Sequence, residues 1–216
     1  MNKIFVDVDV QRDFCEPNGA LFVRGSPNDV MRKLVAHAVD KGIPILGSVD
    51  SHAWDAWEFA SSGLSGPNGE KPNFPDHCVK GTDGWLKVAG TLPSRFRFIP
   101  NVQNAAIDSI VLEVLSKQTQ GVYFEKEVYS MFANPQAERF VKALVEQFGE
   151  TPTFYVFGVA TDYCVKAAAL GLAQRGYRTT LLTDAVAGIS EDGVREAMGE
   201  MQAAGVRLMT TTELLA

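Results

Sequence analysis

Short β-branched runs alternate with longer stretches of helical periodicity along most of this chain, and that alternation limits the architectures open to it. Lys3 to Val10, Pro44 to Val49, Phe96 to Ile99, Gly121 to Glu125, Thr153 to Phe157, Tyr177 to Thr183 and Val206 to Met209 read as strands. Helical segments fall between them: Ser26 to Lys41, Asn104 to Lys117, Asn134 to Phe148, Asp162 to Arg175 and Ser190 to Ala204. Ser26-Pro27 offers a cap and a first-turn proline, and Gly42 a stop. Such a series predicts an α/β fold, a three-layer α/β/α sandwich around a central, mainly parallel sheet with right-handed crossovers. The 216 residues suit a single domain over 1–216, with the Gly-, Pro- and Ser-rich stretch of about 51–100 as an irregular insertion.

In sheets of this kind ligands bind outside the carboxyl ends of the strands. That rule selects Asp9, Asp50, Lys126, the Gly158 to Cys164 segment and Asp184. A nucleophile, a base, a cation and a metal-ligand candidate are therefore expected on one edge. Composition narrows the partners. Hydrophobic residues make up 46% and charged residues 21%, as in ordinary globular chains, and the net charge is -6. An acidic surface repels phosphate backbones and anionic lipid, so neither nucleic acid nor membrane is expected as a partner. Asp7 and Asp9 stand where a secretory leader needs an apolar run, so the expected compartment is the cytoplasm. Three cysteines, Cys15, Cys78 and Cys164, do not form a disulfide framework.

In Phe157-Gly158-Val159-Ala160-Thr161-Asp162-Tyr163-Cys164 a strand ends, a glycine permits a tight turn, and a helix begins near Asp162. Cys164 then sits in a first helical turn, where unpaired N–H groups and the helix dipole favour a thiolate and can bind an oxyanion. A buried structural cysteine in a core helix is the competing reading.

Gly-Val-Ala-Thr-Asp-Tyr-Cys-Val resembles the signature around the nucleophile of the isochorismatase-like cysteine hydrolases. Phe5 to Phe14, with its Asp-Val-Gln-x-Asp-Phe, and Phe124-Glu125-Lys126 resemble two further segments of that family, in the same order and over nearly the whole chain. The resemblance implies Asp9, Lys126 and Cys164 as the catalytic residues. It also implies a cis peptide between Val159 and Ala160, and an oxyanion hole from the Ala160 and Cys164 amides. Asp7 departs from the family, where this position is apolar in many members. Two residues from Asp9 on one strand face, it reads as a supporting hydrogen-bonding group or a perturber of Asp9. Asp13 reads as an Asx-type turn or cap.

Of the three histidines, His37 lies in a helix and reads as structural or solvated, while His52 and His77 lie in the insertion. With Asp50 and Glu58 they make a donor set that suits a divalent ion and roughly neutralises it. Spacing alone leaves a polar loop equally open. The nicotinamidase/pyrazinamidase branch of the family carries Asp-x-His after the second strand and a later His before Cys-Val-x-Gly-Thr, and this chain has both. The resemblance thus implies metal binding by Asp50, His52, Glu58 and His77, with zinc as the expected ion and iron or manganese as alternatives. Glu58 stands where some members have histidine. Phe14 and Phe74 fall where the family places aromatic groups beside the substrate ring, core packing being the alternative; Trp54, Trp57 and Tyr129 are further pocket candidates.

The function implied is metal-assisted cysteine amidohydrolysis of a small-molecule amide, nicotinamide first, in a homodimer or higher homo-oligomer. Hydrolysis of N-carbamoyl or other small amides is the nearest rival, and a non-catalytic interaction protein of this fold a more distant one. A dinucleotide-binding reading fails because Gln-Arg-Asp-Phe, not Gly-x-Gly-x-x-Gly, follows the first strand.

Overall fold

The computed structural model describes residues 3–103 and 106–216. Seven strands form one sheet: β1 (Lys3–Val8), β2 (Ile45–Asp50), β3 (Phe96–Ile99), β4 (Gly121–Lys126), β5 (Thr153–Val159), β6 (Arg178–Ala187) and β7 (Arg207–Met209). Their order is β3-β4-β2-β1-β5-β6-β7, and every pairing is parallel. The expected α/β architecture is present. Strand order reverses at β1, whose neighbours are β2 and β5, so the edge above β1 is the place such a sheet offers to a ligand.

Alternation along β1 explains the layers. Ile4, Val6 and Val8 enter one core with α3 (Ile107–Leu115), α4 (Ala137–Glu146), α5 (Lys166–Gln174) and α6 (Glu191–Ala203). Phe5 enters the other, with α2 (Asn28–Lys41), the short α1 (Arg12–Cys15), α7 (Thr211–Leu215) and parts of the insertion. Asp7 also points to this second core, where its Oδ1 lies 2.6 Å from Lys87 Nζ, both side chains buried. The strand ends at Val8 and Asp9 takes a left-handed φ of 49°, so the shared face expected for Asp7 and Asp9 does not occur and their carboxylates have different partners.

Several boundaries move for local reasons. The first long helix begins at Asn28, and Ser26 Oγ donates to Val23 O instead of capping it; Gly42 ends it in the left-handed conformation, as expected. The helix expected from Asn134 begins at Ala137, because the Asn134 amide donates to Ile99, Pro100 and Glu125 carbonyls. The expected start at Asn104 lies outside the described residues, and the observed helix runs Ile107–Leu115. Ser190 caps α6 by accepting from Gly193 N. α1 and α7 were not expected; α7 is closed by a capping box between Thr210 and Glu213.

Asp184 is a correction. It lies within a sixth strand longer than its apolar run, and its carboxylate accepts from Thr211 N (2.8 Å) and Thr211 Oγ1 (2.5 Å), holding α7 to the sheet and staying out of the site. No helix among the described residues is long and apolar enough to cross a membrane.

β5 approaches β1 closely at Gly158, whose φ is 125° and whose absent Cβ would lie 2.0 Å from Val8 O. Gly158→Ala is therefore expected to destabilise the fold by at least about 1–3 kcal/mol through its backbone conformation alone. Urea unfolding measures this; an unchanged midpoint would contradict the close approach.

Candidate active site

Four strand ends and one turn build the site. β1 leads into Asp9, β2 ends on Asp50, β4 ends on Lys126, and β5 runs through the cis Val159–Ala160 peptide into the turn bearing Cys164. Parallel register sets Asp50 directly beside Lys126. The helix expected from Asp162 opens instead as a wide π-helical turn, Thr161–Val165, which passes into α5 at Lys166. Such turns are rare and favour functional sites. Asp162 anchors this turn from outside by accepting from the Ile189 and Ser190 amides.

Lys126 is fully buried. Its Nζ contacts Asp50 Oδ1, lies 2.8 Å from Asp9 Oδ2, and lies 3.5 Å from Cys164 Sγ. Burial alone would drive the ammonium towards neutrality, but the charges of Asp50 and Asp9 outweigh it and hold the lysine protonated. Burial pushes Asp9 up despite Lys126, with the charge of Asp50 adding to the rise. Burial likewise pushes the Cys164 thiol well above its ordinary value, again against the pull of Lys126. Ligand atoms of Cys164 and Asp9 lie within 4.8 Å of each other. Burial thus disfavours the charged form of both the thiol and the carboxylate. Ser48 Oγ donates to Asp9 Oδ1 at 2.7 Å and fixes the carboxylate from the far side.

The second cluster adjoins the first through Asp50. Asp50 Oδ2 lies 3.7 Å from His52 Nε2 and 3.9 Å from His77 Nε2, while Glu58 Oε1 lies 2.9 and 3.5 Å from the same nitrogens. All four residues are buried. The insertion folds back to bring the histidines together: His52 N donates to Cys78 O, and Lys80 N to His52 O. A carbonyl can only accept, so the 2.7 Å contact of His77 Nδ1 with Pro75 O places the proton on Nδ1 and leaves Nε2 as a ligand atom. Among the described residues, Nδ1 of buried His52 has no hydrogen-bond partner, and Nε2 meets Glu58 Oε1 at 2.9 Å without hydrogen-bond geometry. Burial disfavours charge on His52, yet Asp50 and Glu58 outweigh it and push its pKa to about 9, so the position attracts positive charge. Donors about 2.1 Å from one ion stand roughly 3–3.6 Å apart, close to the separations here. Orphaned nitrogens, nearby carboxylates and spacing fit a divalent metal.

Beside the two clusters lies a pocket. Its walls include Asp50, His52, Glu58, His77, Ala160 and Cys164, and also Phe14 and Phe74, while Lys126 lies against both Cys164 and Asp9. Of the further pocket candidates, Tyr129 lines it. Trp57 borders an adjoining cavity that shares Glu58 and Phe74, and Trp54 is exposed. His37 stacks on Phe5 in the second core, consistent with a structural role.

Sequence reading missed the residues that hold the site. Gln11 donates to Asp50 O and Trp85 O and accepts from Asp50 N, which spends its whole amide on positioning that strand end. Asp13, expected as a turn residue, accepts from Ala20 N and also from Cys78 N at 2.7 Å, across to the loop carrying His77. Phe59 packs its ring 5.3 and 5.4 Å from those of His52 and His77. Tyr163, Leu21, Val23 and Ile189 complete the apolar wall. Only the Asp-Val-Gln-x-Asp-Phe spacing carried a signal for Gln11 and Asp13; long-range packing placed the others.

Comparison with known proteins identifies the family. The Isochorismatase domain family matches residues 3–213. The nicotinamidase of Escherichia coli is 30% identical over 95% of this chain and 93% of its own length. The nicotinamidase/pyrazinamidase of Mycobacterium tuberculosis is 27% identical over 97% and 100%. The crystal structure of the pyrazinamidase of Pyrococcus horikoshii in complex with zinc superposes with a TM-score of 0.70 at 26% identity, covering 97% of this chain and 99% of that one. The chain, whose strand ends gather Asp9, Lys126 and Cys164 beside a histidine–carboxylate donor set, belongs to the isochorismatase-domain family and within it to the nicotinamidase/pyrazinamidase branch.

Proposed function

We propose that this protein is a metal-assisted cysteine amidase that hydrolyses nicotinamide to nicotinate and ammonia. The observation that carries the reading is one cavity with Cys164 on its floor, aromatic side chains around it, and the Asp50–His52–Glu58–His77 donors on its wall. A flat ring bearing a carboxamide fits such walls, and relatives named nicotinamidases support the choice of amide.

Asp50, His52 and His77, with Glu58 beside them, would hold the divalent metal. Such a metal would supply a Lewis acid for a substrate ring nitrogen; zinc is favoured, the pyrazinamidase of Pyrococcus horikoshii being known in complex with it. Phe14 and Phe74 sandwich the ring and exclude water, leaving the carboxamide over Cys164. Asp9 takes the thiol proton as Sγ attacks the carbonyl carbon, so free thiolate need not accumulate. Lys126 holds Asp9 in place and offsets the negative charge on sulfur. The Ala160 and Cys164 amides donate to the oxyanion of the tetrahedral intermediate. As the C–N bond breaks, Asp9 returns the proton to nitrogen and ammonia leaves. Asp9 then deprotonates the water that attacks the thioester, and the departing sulfur recovers a proton to give nicotinate and free thiol.

Purified protein is expected to release ammonia from nicotinamide, to lose that activity on chelation and to regain it on metal add-back. Cys164→Ala should abolish turnover, and Asp9→Asn should lower kcat by about 10²–10⁴-fold. His52→Ala should lose bound metal by elemental analysis; unchanged metal content would remove His52 from the ligand set. An active Cys164→Ala enzyme would overturn the mechanism, and release from N-carbamoyl amides but not nicotinamide would overturn the substrate.

The thiols separate in the same way. Cys15 is buried away from the cavity, and burial pushes its pKa to about 12; Cys78 is buried and raised as well. Cys164 alone of the three lines the cavity and has a base beside it. Iodoacetamide on native protein at neutral pH is expected to modify Cys164 first, read by peptide mass spectrometry; label first on Cys15 or Cys78 would contradict the assignment.

A further inference from the structure

Two donor sets meet at Asp50. On one side, ligand atoms of Asp50, His52 and His77 all lie within 4.8 Å of one another; on the other, ligand atoms of Asp9, Asp50 and Cys164 do the same. Every member of both sets is buried. Two carboxylates and a sulfur suit zinc and the other late divalent ions. Asp50 is oriented to bridge, with Oδ2 towards the histidines and Oδ1 towards the sheet. Two adjacent donor sets sharing a carboxylate are the framework of a two-metal centre. In this chain the second position is filled by Lys126. Its Nζ contacts Asp50 Oδ1, lies 2.8 Å from Asp9 Oδ2 and 3.5 Å from Cys164 Sγ, and so faces all three donors.

We propose that Lys126 stands in the place of a second divalent metal ion and that, beyond its part in catalysis, it keeps the centre mononuclear and Cys164 free of metal. The inference rests on the proposed function only for the first metal, at Asp50, His52 and His77. A metal ion on the sheet side would take Cys164 as a thiolate, release the thiol proton, and occupy the sulfur lone pair that has to attack carbon. The ammonium supplies positive charge to the same two carboxylates without bonding to sulfur. It is also tethered at the end of β4, in register with Asp50, so the position stays filled whatever the metal concentration outside. Asp9 and Cys164 are thereby reserved for proton transfer and attack.

The test titrates metal-free wild type, Lys126→Met and Lys126→Arg with cobalt(II). It reads bound metal per protein after desalting, the thiolate-to-cobalt charge-transfer absorption, and the rate of Cys164 alkylation with and without cobalt. Circular dichroism reports folding, and Lys126→Gln replaces Lys126→Met if the latter does not fold. Wild type and Lys126→Arg are expected to bind about one equivalent without the thiolate band, and Lys126→Met about two with it. Cobalt should slow alkylation of Cys164 by at least about tenfold in Lys126→Met only. In Lys126→Met combined with Cys164→Ala the band should vanish. A folded Lys126→Met that gains no equivalent and no band overturns the proposal, as does a wild type that takes a second ion on sulfur. A wild type that binds no cobalt, beside a Lys126→Met that binds one with the thiolate band, would sink the first metal site and leave this inference standing.

Discussion

One buried ammonium organises the functional edge of this protein. An isolated lysine charge in a dry interior costs several kcal/mol even after the surroundings relax, and only close anions offset that. Lys126 has two, Asp9 and Asp50, each brought by a different strand. The dependence is mutual, because without the lysine two buried carboxylates would face each other beside a thiol. The cluster therefore ties β1, β2, β4 and the turn after β5 into one charge arrangement whose members cannot be exchanged singly. Parallel pairing of β4 with β2 sets Asp50 against Lys126, and the left-handed residue at Asp9 swings its carboxylate out of the strand pattern to meet them.

Asp50 extends that arrangement into the insertion. One of its oxygens serves Lys126 and the other faces His52 and His77, so the donor set and the nucleophile are held by the same side chain. Gln11 fixes the backbone of Asp50, and Asp13 grips the amide of Cys78 beside His77. A stretch without regular secondary structure thus acquires defined donor positions through hydrogen bonds to the loop after β1. Under the proposed function, binding at the ring nitrogen and attack at the carboxamide are set at a fixed separation by this one shared residue.

Much of the fold was legible because strands and helices differ in period and because Gly42 and Ser190 do what their types favour at helix ends. The sheet edge was legible from strand ends alone, which is why Asp9, Asp50, Lys126 and Cys164 could be gathered before any coordinates. Asp184 shows the limit of that rule: β6 continues past its apolar run, so the residue falls within a strand and binds Thr211 of α7. Asp7 shows another, since strand alternation predicts a face only while the strand lasts, and Asp9 has already left it. Gln11 and Ser48 act through partners 39 positions away and Phe59 through His77, 18 positions away, contacts that leave no local pattern. Their Gln, Ser and Phe side chains are ordinary in composition, and only the folded arrangement gives them a role.

An acyl intermediate on Cys164 separates covalent catalysis from direct attack of water on the amide. Metal-loaded wild type mixed with nicotinamide and quenched in acid within the first turnovers should carry a nicotinoyl group on the Cys164 peptide by mass spectrometry. Ammonia released with no acyl group on Cys164 at any quench time, and with oxygen exchange pointing to direct attack of water on the amide, would contradict it.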